Sequence, residues 1–490
     1  MQFMRLRQGQ RGVAVIMKWI EEITIEELQK KIENKEITSG ELVLEYMKRV
    51  ALFDKAGPEL NSLFEWNPDA LAIAEAMDRE RNHGKIRSGI HGIPVVLKAN
   101  ISTKDMMRTP AGSIALADNY APYDAHLVKR LREAGAVIMG KTNMTEMAGS
   151  VSRKMPRSYS SLGNHVRNPY TGTTEVGGSS NGSAVAVSAN LSMLAVGTET
   201  NGSIIRPSCM NGVVGIKPTI GLVSRYGVMP ICTSQDTAGP IARTVKDAAI
   251  LLNYMAGEDM NDPTTWERQD DKKEDYSLFC QEDGLTGMKI GINRGYWHEL
   301  SEEQKTIAEK AFQLMQESGA VIKNQVNRSH LKCDTNVFLY EYMKCTDWYL
   351  STMGNIKCKS LQEMYDFYMN HSKNDRKYGM DYITDALFST SGTCTDAIYL
   401  KDKLEALRIS RQDGIDQLLD ENDLDLLVCP GVTDLSPISG YPSIVVPAGY
   451  ESSQMPFGIS FVGRAFSENI LIQAAYSFEQ KMKARKAPEL

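Results

Sequence analysis

What this chain lacks narrows its chemistry first. None of its 490 residues lies in an apolar run approaching the ~20 that a membrane-spanning helix needs, so no membrane partner is expected. Only seven histidines occur, and none falls in an H-E-x-x-H or H-x-H pattern, so no zinc site is written here. The eight cysteines, at 209, 232, 280, 333, 345, 358, 394 and 429, are dispersed with no C-x-x-C pair. That usage reads as reduced thiols in a cytoplasmic protein rather than a disulfide framework or metal site. There is no basic excess, with 55 lysines and arginines against 61 aspartates and glutamates and a net charge of −6. A nucleic-acid partner, gripped through its phosphates, is therefore not expected. The main glycine-rich stretch lacks the Gly-Lys-Ser/Thr ending of a phosphate-binding P-loop, and it does not follow the G-x-S-x-G nucleophile elbow. No cofactor and no metal is implied.

The N-terminus is basic (Arg5, Arg7, Arg11) and then briefly apolar from Val13 to Met17. That stretch is shorter than the roughly 7–15 residues of a signal-peptide core, and no A-x-A site follows. Met17 reads as the start of the protein and residues 1–16 as a disordered extension. No linker divides the remainder, so 17–490 reads as one domain.

Two capped helices are expected over 24–53, opened by Thr24-Ile25-Glu26-Glu27 and Thr38-Ser39-Gly40-Glu41. Further helices are expected from Ala70 to Arg81, Ala125 to Glu133, Gly182 to Leu191, through most of 300–420, and from about Glu468. Apolar strands are expected at Gly92 to Leu97, 136–139, 195–198, 289–292, Leu424 to Pro430, Ser443 to Pro447 and Phe457 to Val462. The acidic stretch 258–283, broken by Pro263, reads as an exposed connection. Strands alternating with helices imply an α/β layered core.

Three small clusters carry chemistry. Gly177-Gly178-Ser179-Ser180-Asn181-Gly182-Ser183 is followed by Thr200-Asn201-Gly202-Ser203, with Ser203 lying 203 − 179 = 24 residues after Ser179. Small residues before a nucleophile let successive backbone N–H groups converge on one point, which makes an oxyanion hole. Thr200, Asn201 and Gly202 are the candidate donors, with Ser203 itself a further one. Taken alone, the tetrapeptide would read as a plain turn. Lys98 closes the apolar run Ile93-Pro94-Val95-Val96-Leu97 and precedes Ala99-Asn100. Burial would strip its charge of solvation and lower its pKa by the roughly 2–3 units a base working near neutrality requires. A neutral Lys98 could take a proton from Ser179, which takes one from Ser203, placing lysine in the role histidine has elsewhere.

These residues, together with His91–Lys98, Gly135–Asn143, Gly177–Thr219, Ser234–Pro240 and Pro442–Gly449, resemble the amidase signature enzymes over nearly the whole chain from about residue 20. The resemblance implies a three-layer α/β/α domain with a large mixed, twisted sheet. It implies Ser203 as nucleophile, Ser179 as bridging serine after a cis peptide bond, Lys98 as base and Ser180 as a supporting hydroxyl. Within the family, Thr198–Ile204 and Ser234–Pro240 look most similar to bacterial peptide amidases, which remove the C-terminal amide of peptides. Asn201 stands where glycine is common. Ile205 stands where arginine is usual, removing a charge near the nucleophile. Ala99 replaces a common aspartate. The expected activity is hydrolysis of a small-molecule or peptide amide to carboxylate and ammonia through an acyl-serine. The alternative is the glutamine-hydrolysing component of a tRNA-dependent amidotransferase (its A subunit), whose motif normally reads Ser-Leu-Asp-Gln-Ile-Gly-Pro where this chain has Ser-Gln-Asp-Thr-Ala-Gly-Pro. A catalytically dead scaffold is the third reading, and the three intact candidate positions speak against it. Specificity is expected in 300–420 and in the loop Met144 to Arg157.

Overall fold

Thr24 and Thr38 each open a helix through a reciprocal pair of side-chain bonds. Thr24 accepts from the N–H of Glu27 while Glu27 reaches back to the N–H of Thr24, and Thr38 and Glu41 do the same. The helices run Ile25–Glu33 and Ser39–Arg49. The computed structural model describes residues 18–267, 274–324, 326 and 336–490. The extension expected over 1–16 lies outside the described residues, as does Cys333.

The molecule is organised around one mixed sheet. Its strands are β1 (Leu63–Trp66), β2 (Pro94–Lys98), β3 (Val137–Thr142), β6 (Leu194–Glu199), β7 (Val214–Lys217), β8 (Thr237–Ala242), β9 (Lys289–Ile292), β10 (Val321–Lys323), β11 (Leu426–Pro430), β12 (Ser443–Tyr450) and β13 (Pro456–Val462). The short pair β4 (Tyr159–Ser160) and β5 (Asn164–His165) stands apart as a small hairpin. The order across the sheet is β1-β3-β2-β6-β8-β7-β12-β13-β11-β9-β10. Strand β2 is parallel to both β3 and β6, whereas along β8, β7, β12 and β13 each strand is antiparallel to the next. Every residue of β2, β3, β6 and β8 is buried. That explains why β2 reads as a continuous apolar run rather than an alternating one.

Helices cover both faces, as the expected layering requires. Val245–Met255, Glu302–Glu317 and Glu468–Met482 pack on the sheet and join into one layer, while Asn181–Ser188 and Ile205–Met210 pack on the sheet and on each other. Asn181–Ser188 is buried along its whole length. Its small residues permit this: a Cβ on Gly182 would lie 2.4 Å from the carbonyl oxygens of Asn143 and Ser62. The helix stops before the expected Leu191 because Asn190 adopts φ +53°, a left-handed terminator.

Residues 300–420 are mainly helical, as expected. Those of 336–388 build a second core, including Tyr342, Tyr349, Leu361 and Ile383, over the loops holding Ala99, Met144 and Met147. The connection expected over 258–283 is exposed at most of its described residues, with a few turned inward. Asp259, Asp262 and Thr265 are buried, with Asp262 paired to Arg225 at 2.6 Å and Asp259 accepting from Ser224 Oγ at 2.6 Å. The other described carboxylates of the stretch, Glu258, Glu267, Glu274, Asp275, Glu282 and Asp283, are exposed. Among the described residues, no helix is long and apolar enough to cross a membrane.

Candidate active site

The parallel pairing of β2 and β6, with Leu97 opposite Val196, delivers Lys98 and Thr198 to adjacent strand ends. Carboxyl ends of parallel strands are where ligand sites form in open α/β sheets. The strand begins and ends slightly later than its sequence suggests, so Lys98 is itself a strand residue, held rigid and wholly buried. Lys98 Nζ lies 2.7 Å from Ser179 Oγ, and donates to Thr198 Oγ1 at 2.8 Å and Thr198 O at 3.2 Å. Asn100 Nδ2 donates to the same Thr198 Oγ1 at 3.1 Å. Burial pushes Lys98 down to about 7, against the opposing pull of the Glu199 and Asp236 carboxylates.

Burial alone does not single this lysine out. Lys141 and Lys217 are equally buried and pushed down to about 7 and about 8. However, Lys141 Nζ donates to Ile101 O and, at 3.3 Å, to Thr109 Oγ1, and Lys217 Nζ donates to Pro218 O at 3.1 Å. Lys98 is the one that meets a candidate serine.

The Gly178–Ser179 peptide is cis. Ser179 and Ser180 are fully buried. Ser180 ties the two serine loops to β6. Its Oγ donates to Thr198 O at 3.0 Å and accepts from Thr198 N at 3.2 Å, while its N–H donates to Ser203 O at 3.1 Å. Ser203 lines a cavity of ≈ 230 Å³. Gly202 before it adopts φ +73°, a conformation that strains any residue with a Cβ. The backbone N–H groups of Thr200, Asn201, Gly202 and Ser203 have no hydrogen-bond partner among the described residues.

Two carboxylates that lie in the family-like motifs, where the sequence alone assigns them no role, fix this loop. Glu199 Oε2 accepts from Ile204 N at 2.7 Å and Ile205 N at 3.0 Å, at the start of Ile205–Met210. Asp236 Oδ1 accepts from Thr200 Oγ1 at 2.5 Å, while its Oδ2 accepts from Ile231 N at 2.7 Å and Cys232 N at 2.8 Å. Burial lifts Asp236 to about 6. Both carboxylates act on Lys98 electrostatically, so the aspartate that Ala99 replaces has counterparts reaching the lysine from elsewhere in the chain. The charge absent at Ile205 returns one residue later. Ile205 is buried, whereas Arg206 lines the cavity. Both segments expected to govern specificity reach this cavity, through Ala148, Gly149, Ser150 and Arg157 on one side and Phe338 and Tyr382 on the other. Only their long-range placement reveals this, since nothing local in the sequence joins Arg157 to Tyr382. The seven described cysteines are free thiols, and no metal-holding cluster occurs among the described residues.

Known proteins share this architecture. The family model for Amidase matches residues 41–438. A probable amidase of Arabidopsis thaliana is 38% identical over 487 residues, covering 96% of this chain and 92% of that protein. The A subunit of the glutamyl-tRNA(Gln) amidotransferase of Alkaliphilus metalliredigens is 30% identical over 491 residues, covering 94% of this chain and 97% of its own length. The native peptide amidase of Stenotrophomonas maltophilia superposes with a TM-score of 0.90 at 37% identity, covering 96% of this chain and 99% of that one. With the eleven-stranded mixed sheet covered on both faces, these matches place the chain in the amidase signature family as a hydrolase acting on amides.

Proposed function

We propose that this amidase hydrolyses C-terminal peptide amides to the free acid and ammonia through an acyl-Ser203 intermediate. The carrying observation is the buried contact of Lys98 Nζ with Ser179 Oγ at 2.7 Å. A neutral amine has two N–H donors and one lone pair. Thr198 O and Oγ1 take up the donors, which leaves the lone pair for the Ser179 hydroxyl proton. Ser203 Oγ–H then passes its proton to Ser179 Oγ as Ser179 gives its own to Lys98. Ser203 Oγ attacks the amide carbon, and the C–O bond forms as the C=O electrons move to oxygen.

The oxyanion accepts from the unengaged N–H groups of the Thr200–Gly202 loop, which Glu199 and Asp236 hold in shape. Collapse breaks the C–N bond, and the proton held by Lys98 returns through Ser179 to the departing nitrogen, releasing ammonia. Water repeats the relay against the acyl-serine and frees the carboxylate. Ser180 positions the two loops rather than moving a proton. The peptide part of the reading is supported by the likeness to the Stenotrophomonas maltophilia peptide amidase.

Ammonia release from a C-terminal peptide amide, benzamide, a short aliphatic amide and free glutamine tests it. Release from the peptide amide that disappears in Ser203→Ala supports the reading. Release from glutamine alone replaces it with the tRNA-dependent amidotransferase reading.

A further inference from the structure

The cavity beside Ser203 is lined by two arginines and a single carboxylate. Arg157 and Arg206 both line it. Their guanidinium ends can be located from the glycines they cover. A Cβ on Gly149 would lie 3.1 Å from Arg157 Nη1, and one on Gly202 would lie 3.4 Å from Arg206 Nη2. Arg206 thus sits over the residue preceding the candidate nucleophile, and Arg157 over a glycine of the opposite wall. Packing around Arg157 and, next, the charge of Arg206 both lower the proton affinity of Arg157, so the two cations are close enough to repel.

Neither guanidinium makes an ion pair or hydrogen bond among the described residues. Arg153, four positions earlier, shows the contrast: it pairs with Asp381 at 2.7 Å and Asp385 at 2.8 Å. Asp434 is the one carboxylate lining the cavity, and it accepts from Tyr296 Oη at 3.4 Å while pairing with neither arginine. The chain as a whole carries a net charge of −6, so this positive charge is local. Guanidinium forks suit a carboxylate, and an anion between two of them relieves their repulsion.

We infer that the preferred substrate is an anionic amide, whose acyl part carries a carboxylate held by Arg157 and Arg206 while Ser203 meets the amide carbon. A peptide amide ending in an aspartyl or glutamyl residue is of this class. Phe338 and Tyr382 supply the wall against which its methylenes pack. The inference rests on the amidase reading above and names the substrate class for that site.

The test compares ammonia release from N-acetyl-Ala-Glu-amide, N-acetyl-Ala-Leu-amide and N-acetyl-Ala-Lys-amide. Charge-assisted bonds of this kind lead us to expect kcat/KM about tenfold or more higher for the Glu amide than for the Leu amide, carried by KM, with the Lys amide poorest. The Glu/Leu ratio should fall with added salt and approach one in the Arg157→Gln/Arg206→Gln double variant, with Arg206→Lys between. The wild-type ratio and its salt dependence stand even if the double variant misfolds. A wild-type enzyme that cuts the Leu amide as well as the Glu amide overturns the inference and leaves the amidase reading intact. So does a ratio that survives the double substitution. Silence on all three substrates overturns both.

Discussion

Under the proposed mechanism Lys98 sets the pH dependence of turnover, with a position and sign that follow from its burial. The side chain is wholly buried, and that burial brings its ammonium from the usual lysine range down to about 7. A lysine accepts a proton only when neutral, so the rate follows the deprotonated fraction. For a group titrating near 7, roughly a tenth is neutral at about pH 6 and roughly nine tenths at about pH 8. With a neutral peptide amide, kcat/KM should therefore climb about tenfold over that interval and then level. A lysine titrating in its ordinary range would instead give a rate still rising about tenfold per pH unit near pH 9. Lys98→Met removes the acceptor for the Ser179 proton, and loss of a positioned base costs about 10²- to 10⁴-fold. Whatever rate remains should show no rise near neutrality. Lys98→Arg keeps a cation that cannot become neutral in the accessible range and should be equally impaired. The assay is initial ammonia release at constant ionic strength from about pH 5.5 to 9.5. A rise centred near 10, or one near 7 that persists in Lys98→Met, refutes the reasoning.

Other consequences follow from the same contacts. Glu199→Gln keeps an acceptor for the N–H groups of Ile204 and Ile205 but removes the charge facing that helix start. It should lower thermal stability by about 1 kcal/mol, read by melting, and lower kcat more than it alters KM. It also removes a negative charge acting on Lys98, so the rise in activity should move to lower pH. Gly202→Ala puts a Cβ at φ +73° beside Arg206, and should cost about 1 kcal/mol of stability by denaturant titration together with a fall in kcat. Because the folded-state pKa of Lys98 lies below its unfolded value, the unfolded chain binds more protons between about 7 and 10.5. Wild type should therefore gain stability relative to Lys98→Met as pH rises through that window, by on the order of 5 kcal/mol if fully expressed. A difference that is flat in pH contradicts the burial of a neutral amine.

The sequence was most legible where one short stretch carries its own physics. The Thr24/Glu27 and Thr38/Glu41 boxes needed no tertiary partner to be read, and both form. Continuous apolar runs marked β2 and β3 because strands buried on both faces need not alternate. Lys98 was legible as a lysine closing such a run, yet Lys141 and Lys217 end up equally buried, and only strand pairing brings Lys98 to Ser179. Glu199 and Asp236 lie in the quoted motifs, but their roles were not legible because their partners are backbone N–H groups and a threonine that the fold delivers. The acidic stretch 258–283 was legible as an exposed connection for most of its described carboxylates, but not for Asp262 and Asp259, which Arg225 and Ser224 draw inside. Arg157 and Arg206 lie 206 − 157 = 49 positions apart, and no local pattern predicts that they face one cavity.

The central claim is that Ser203 carries the acyl group. Rapid acid quench during turnover of a peptide amide, followed by peptide-level mass spectrometry, tests it directly. Wild type should show the acyl mass on the peptide containing Ser203, and Ser203→Ala should show neither adduct nor ammonia. An adduct on a different residue, or ammonia release that continues in Ser203→Ala, would contradict the claim.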